Sequence, residues 1–179
     1  RPTPTPFAYP TAARSSGVLP AFPRLNSKPI GTVATGDLVT ARQHVARCAA
    51  TDDTRPVLHG VEVTSLPTGL RLAAADGFRL CVQTIPALGT PSEDTAIGVL
   101  PLESVQVLSR VLARRKGFLT VAKRDSFVEF RDQREITFVS RLIEGVFPDI
   151  GKIVPDSFTT RAIVETASLH RAGAPIWPT

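Results

Sequence analysis

Three histidines, two cysteines and the adjacent carboxylates Asp52-Asp53 have the chemistry for catalysis or metal binding. Their spacing gives them no partnership. His44, His59 and His170 are scattered, and no Ser, Cys or carboxylate is tied to any of them in a nucleophile or metal-ligand motif. Asp52-Asp53 is explained by the loop that terminates a helix. Cys48 and Cys81 each sit inside an apolar pattern with no second Cys or His at metal-ligand spacing, and read as reduced, buried thiols of a cytosolic protein. The expectation is a protein that is not an enzyme, with no catalytic residue, no metal and no cofactor.

Charge points to a partner instead. The formal net charge of the 179 residues is +5. Between Leu102 and Arg124 stand Arg110, Arg114, Arg115, Lys116, Lys123 and Arg124 against Glu103 alone, so this one window carries as much net charge as the whole chain. That favours an anionic partner, although cations at the end of a helix also suit its dipole. With 42% hydrophobic and 21% charged residues the chain can bury a core, as one domain with an extension or two small ones. No apolar run reaches the length of a membrane span, and no secretory signal is visible at the start. The chain opens on Arg1 and contains no Met, so a processed product or a fragment is expected.

The elements that must position these residues are punctuated clearly. Residues 1–29, opening RPTPTP, have no apolar period and read as a flexible or polyproline-like segment. A short strand is expected over Gly31–Thr35, then a helix with Asp37 as N-cap and Leu38, Ala41, Val45 and Cys48 or Ala49 facing the core. Strands are expected over Val57–Ser65, over LRLAAA from Leu70, and from Phe78 onward after a bend at Asp76-Gly77. Pro86–Asp94 reads as loop. Ala96–Leu100 is a further strand, and Pro101 opens a second helix running to about Lys116, with Gly117 as its stop. Three strands follow, from Phe118, Phe127 and Glu135, with turns at Lys123–Ser126 and Asp132–Arg134. The order is a strand–helix–strands unit written twice. It predicts an α+β fold, a repeated βαβββ-type unit with both helices on one face of antiparallel sheet.

Ser140–Pro155, SRLIEGVFPDIGKIVP, is a poor strand and a poor helix. Phe147 before Pro148 is pushed to extended backbone, Asp149 and Gly151 form turns, and Ile153 and Val154 offer apolar surface before Pro155. It reads as a connector that lies in an apolar groove between two packed units. Phe158–Glu165 alternates like a strand, and Thr166–Arg171 starts like a helix. A strand and a broken helix do not close a core, so a following domain is expected to be missing.

Three stretches together, DDTRPVLHGVEV from Asp52, LRLAAADGFRL from Leu70 and SRLIEGVFPDIGKIVP from Ser140, resemble the bacterial DNA polymerase III β subunit family, the sliding clamps. The resemblance covers about Pro29–Pro155 and implies the DNA-clamp fold. The domains expected are a Pro-rich segment (1–29), a clamp central domain (30–155) and the start of an incomplete third domain (156–179). It implies a non-catalytic processivity factor that self-associates into a ring around duplex DNA without reading sequence. Its implied partners are the DNA polymerase III catalytic subunit, the clamp loader and other clamp-binding peptides. The implied location is the bacterial cytoplasm, at the nucleoid, with no membrane.

By motif match, the implied peptide-binding groove has as its central-domain wall Leu58, Ala75, Gly77, Phe78, Arg79, Leu80, Pro148, Lys152 and Ile153. The family commonly has Thr at Ala75, His or Tyr at Phe78 and Arg at Lys152, so this pocket should be more apolar. A salt bridge from Arg79 to Asp76 and plain core roles for Leu58 and Leu80 are the ordinary alternatives. A tether that must slide needs phosphate attraction without base contacts, and Arg42, Arg47, Arg110, Arg114 and Arg115 are the implied DNA-facing cations. Leu102-Glu103 depart from the pattern, since the family often places a basic residue at the start of the second helix. The rival reading is a stand-alone clamp-like interaction module that never encircles DNA.

Overall fold

The computed structural model describes residues 28–52, 54–89, 94–133 and 136–173. The chain divides into two compact units, the first ending at Phe147 and the second starting at Pro148. The Pro-rich segment before Lys28 and the tail after Gly173 lie outside the described residues.

In the first unit, strand β1 (Pro29–Ala34) leads into helix α1 (Thr35–Val45), followed by β2 (Gly60–Leu66), β3 (Gly69–Ala75) and β4 (Leu80–Leu88). The same succession then recurs as β5 (Thr95–Pro101), α2 (Leu102–Leu112), β6 (Phe118–Arg124), β7 (Phe127–Asp132) and β8 (Thr137–Arg141). The βαβββ unit is therefore written twice. The strands form one antiparallel sheet in the order β5-β2-β3-β4-β1-β6-β7-β8, and a bridge between Val99 and Ile143, with the Ile143 N–H donating to the Val99 carbonyl at 2.8 Å, brings its two ends together.

The repeats exchange strands. β1 of the first pairs with β6 of the second, and β5 of the second pairs with β2 of the first. The helix starts follow the same exchange. The Thr35 N–H opening α1 donates to the Gly117 carbonyl just before β6 (2.9 Å), and the Leu102 N–H opening α2 donates to the His59 carbonyl just before β2 (3.2 Å). The first turn of a helix has N–H groups with no partner inside the helix, and each repeat satisfies one of the other's. Neither helix has a side-chain cap. Asp37, expected as N-cap, is instead the third residue of α1, where its charge still suits the helix dipole.

Alternation along the strands puts one set of side chains under the helices. Val61, Val63, Leu70, Leu72, Ile85, Val121 and Phe130 pack with Leu38, Ala41 and Val45 of α1 and Val105, Leu108 and Leu112 of α2 in a single core. Fully burying each aliphatic side chain is worth about 1.5–3 kcal/mol, so these two helix stripes hold the helices to the sheet.

Several expected boundaries move. Val57 and Leu58 belong to a 3-10 turn, Pro56–Leu58, closed by the His59 N–H on the Pro56 carbonyl at 3.0 Å, and the strand starts at Gly60. Pro86 is not loop: β4 continues to Leu88, with Pro86 opposite Gly69. β1 meets β4 only at Ala87 and Leu88, so a residue that cannot donate is tolerated at Pro86 on the open edge. Helix α2 ends at Leu112, not Lys116. The Arg115 N–H turns back to the Leu112 carbonyl (2.8 Å), and the Arg115 guanidinium reaches Asp132 at 2.8 Å, which draws the chain off the helix axis.

In the second unit, the connector does form a helical turn, α3 (Ile150–Ile153). The Asp149 carboxylate accepts from the Gly151 N–H at 3.0 Å and caps it, which the Pro-based reading as poor helix overlooked. Phe158–Glu165 is not a strand. It is exposed throughout, and no strand lies beside it among the described residues to supply the hydrogen bonds a strand needs. Helix α4 (Thr166–Gly173) follows.

Candidate functional site

The link between β3 and β4 is built to display one aromatic ring. Asp76 Oδ1 accepts from the N–H groups of Phe78 (3.0 Å) and Arg79 (2.9 Å), and its Oδ2 accepts from Arg79 Nε (2.9 Å) and Nη2. The Asp76 N–H donates to the Arg79 carbonyl at 3.2 Å, closing the turn. The Arg79 guanidinium, and then the two backbone donors, hold the Asp76 carboxyl at about 2. Gly77 has φ +92°, a left-handed conformation that suits glycine, and a Cβ there would lie 2.9 Å from the Arg55 guanidinium. Phe78, between these fixed points, is 98% exposed. A buried Phe is worth about 1.5–3 kcal/mol. Among the described residues nothing claims that gain.

Beside the turn the chain changes from surface to core. Ala75 and Leu80 are cross-strand partners at the ends of β3 and β4, the first buried and the second half-buried. Leu58, at the end of the 3-10 turn that Arg55 precedes, is buried, and its carbonyl accepts from the Ala50 N–H at 2.9 Å. Of the groove residues implied by sequence, Leu58, Ala75, Gly77, Phe78, Arg79 and Leu80 thus fall in the first unit. Arg79 is held by Asp76 and still has its side chain 63% exposed. Pro148, Lys152 and Ile153 belong to the second unit, where Lys152 Nζ lies 3.7 Å from Asp149 and Ile153 is half-exposed.

The five arginines implied to face DNA separate into two kinds. Arg42 is half-buried, donates from Nη2 to Ser109 Oγ of α2 at 2.7 Å, and ties the two helices. Arg115 is spent on Asp132, past the end of α2. Arg47, Arg110 and Arg114 are exposed and have no ion-pair partner among the described residues. The open face of α2 also carries Glu103, Val107 and Val111, the two valines being 44% and 40% exposed. That stripe is less basic than the charge of the window suggested, because Arg114, Arg115 and Lys116 lie beyond the helix.

A family model described as "DNA polymerase III beta subunit, central domain" matches residues 32–149. The chain belongs to this family. Its similar proteins are named accordingly. The beta sliding clamp of Synechococcus elongatus is 27% identical over 166 residues, covering 88% of this chain and 42% of the relative. That of Bacillus subtilis is 26% identical over 153 residues, covering 86% and 40%. The crystal structure of the beta subunit from DNA polymerase of Streptococcus pyogenes is 28% identical with a TM-score of 0.72, over 87% of this chain and 42% of that one. The Bacillus subtilis DNA polymerase sliding clamp, at 24% identity, shares the fold with a TM-score of 0.69 over 77% of this chain and 36% of that one. The chain spans about two fifths of the length of the curated relatives it matches. The family match ends at 149, close to the division between the two units at Phe147 and Pro148.

Sequence reasoning missed one neighbour of the turn. Arg55 reaches Gly77 from a distant stretch, and no local pattern signals such a contact. Cys48 and Cys81, read as buried thiols, are each half-buried and pack against the core.

Proposed function

We propose that this chain acts as the central module of a DNA polymerase processivity clamp, a non-catalytic part that takes an extended peptide of the polymerase on the surface around Phe78. The observation that supports this most is the Asp76–Arg79 turn, which spends four hydrogen bonds on holding a fully exposed aromatic side chain. A preset aromatic beside the apolar edge at Leu58, Ala75 and Leu80 suits leucine and phenylalanine side chains of a peptide, with Arg79 at the rim. Duplex DNA is held by the longer protein through phosphates alone, with Arg110, Arg114 and Arg47 contributing from this module. In this reading the protein works in the cytoplasm, as one part of a ring.

Phe78→Asp tests the peptide surface. Because Phe78 makes little contact within the fold, stability in urea should change by no more than ~0.5 kcal/mol. Calorimetric affinity for a clamp-binding peptide of the polymerase catalytic subunit should fall at least tenfold. Undiminished affinity would remove the assignment.

A second reading, an interaction module that never surrounds DNA, is favoured by the exposed Val107 and Val111 on the helix that would face the duplex. Retention on circular duplex DNA, measured in the longer protein, separates the two. Arg110→Glu with Arg114→Glu shortens retention if the module lines a ring and leaves it unaltered otherwise.

A further inference from the structure

The basic run Arg114-Arg115-Lys116 is followed directly by Gly117 and Phe118. The run lies past the end of α2, in a loop held at two points. Arg115 Nη1 donates to Asp132 Oδ2 at 2.8 Å, and the Gly117 carbonyl accepts from the Thr35 N–H at 2.9 Å. Arg114 and Lys116 are exposed and have no ion-pair partner among the described residues. An open cleft of about 680 Å³ is lined by Arg114, Arg115, Lys116 and Asp132, three cations to one anion. A smaller hollow of about 80 Å³ shares Lys116 and Asp132 with it and adds Gly117, Phe118 and Gln133. Phe118 opens β6 opposite Ala34, and its neighbour Leu119 is buried in the core. Alternation therefore sets the Phe118 ring on the sheet face away from the helices, where it is 49% exposed.

The cations attract phosphate, and an exposed ring face is a platform on which a base stacks. Duplex DNA uses only the first of these, because its bases are stacked within the helix and present edges to a protein. A strand with free base faces uses both. We propose that the α2–β6 loop is a site for single-stranded nucleic acid, with a base on Phe118 and the adjoining phosphates on Arg114 and Lys116. Arg115 fixes the loop and neutralises Asp132, the carboxylate that would otherwise repel phosphate. Gln133 brings an amide that both donates and accepts, so it can meet any base edge. The cleft is open, which suits a strand that continues along it better than a free nucleotide that must be enclosed. The site extends Arg114 beyond a duplex role and does not rest on the peptide surface at Phe78.

The test is fluorescence anisotropy of a short labelled oligothymidylate, and separately of a labelled duplex, with the 179-residue chain over a salt series. Phe118→Leu keeps an apolar side chain and removes the ring face. It should weaken single-strand binding about fivefold or more, with the salt dependence unchanged, and leave duplex binding as it was. Phe118→Trp should keep the single-strand affinity. Lys116→Gln should lower the slope of log affinity against log salt by about 0.7, the loss of one phosphate contact. No single-strand binding at low salt, an affinity unmoved by Phe118→Leu, or single-strand and duplex binding falling together would each overturn the proposal. A loss with Phe78→Leu in place of Phe118→Leu would also overturn it. Peptide affinity is read separately, so failure here leaves the Phe78 surface standing.

Discussion

Asp76 is a surface carboxylate that organises its neighbours rather than a partner. Its oxygens are occupied by Arg79 and by the amides of Phe78 and Arg79, and its carboxyl is held at about 2 against an ordinary 3.8. A carboxyl depressed in the folded state contributes stability that is fully present above about pH 4, and that contribution is lost as pH falls through about 2. An NMR titration of the Asp76 carboxyl should give a midpoint near 2, and Asp76→Asn should flatten the acid limb of the stability curve between pH 4 and pH 2. A midpoint near 4 would mean that the fork from Arg79 is not held in solution. The D-G-F-R order made a bend legible in the sequence, and Arg79 with Asp76 was the ordinary alternative to a rim role. The pair is formed, and its guanidinium is still largely exposed.

At the level of elements, Arg42 shows where sequence and structure part. Its position on a helix of a clamp-like repeat suggested a DNA-facing cation. The packing of α1 against α2 turns it to Ser109 at 2.7 Å, with its Nε buried and without a hydrogen-bond partner among the described residues. Hydrogen bonds to charged groups contribute about 1.5–3 kcal/mol. A double-mutant cycle of Arg42→Ala and Ser109→Ala should therefore show a coupling of about 1 kcal/mol or more in urea unfolding. Arg42→Ala should also cost more in stability than in DNA affinity. A coupling near zero would return Arg42 to the solvent face. The helices and strands were legible because apolar residues recur at the right periods. Their ends were less so, since helix starts are satisfied by carbonyls of the other repeat, and the end of α2 is set by Asp132, twenty residues beyond Leu112.

For the whole molecule, the doubled βαβββ unit was readable from element order alone. The exchange of strands, β1 to β6 and β5 to β2, was not, because no residue pattern states which edge a strand will join. That exchange makes one core from two repeats, while the β3–β4 hairpin within the first repeat pairs Ala75 with Leu80 at the foot of the turn bearing Phe78. The most direct measurement is a backbone chemical-shift map of the chain titrated with a clamp-binding peptide of the polymerase catalytic subunit. The account predicts shifts concentrated at Leu58, Ala75, Gly77, Phe78, Arg79 and Leu80, with α2 unaffected. Shifts centred instead on Val107, Arg110 and Val111 would contradict it and make the open face of α2 the binding surface.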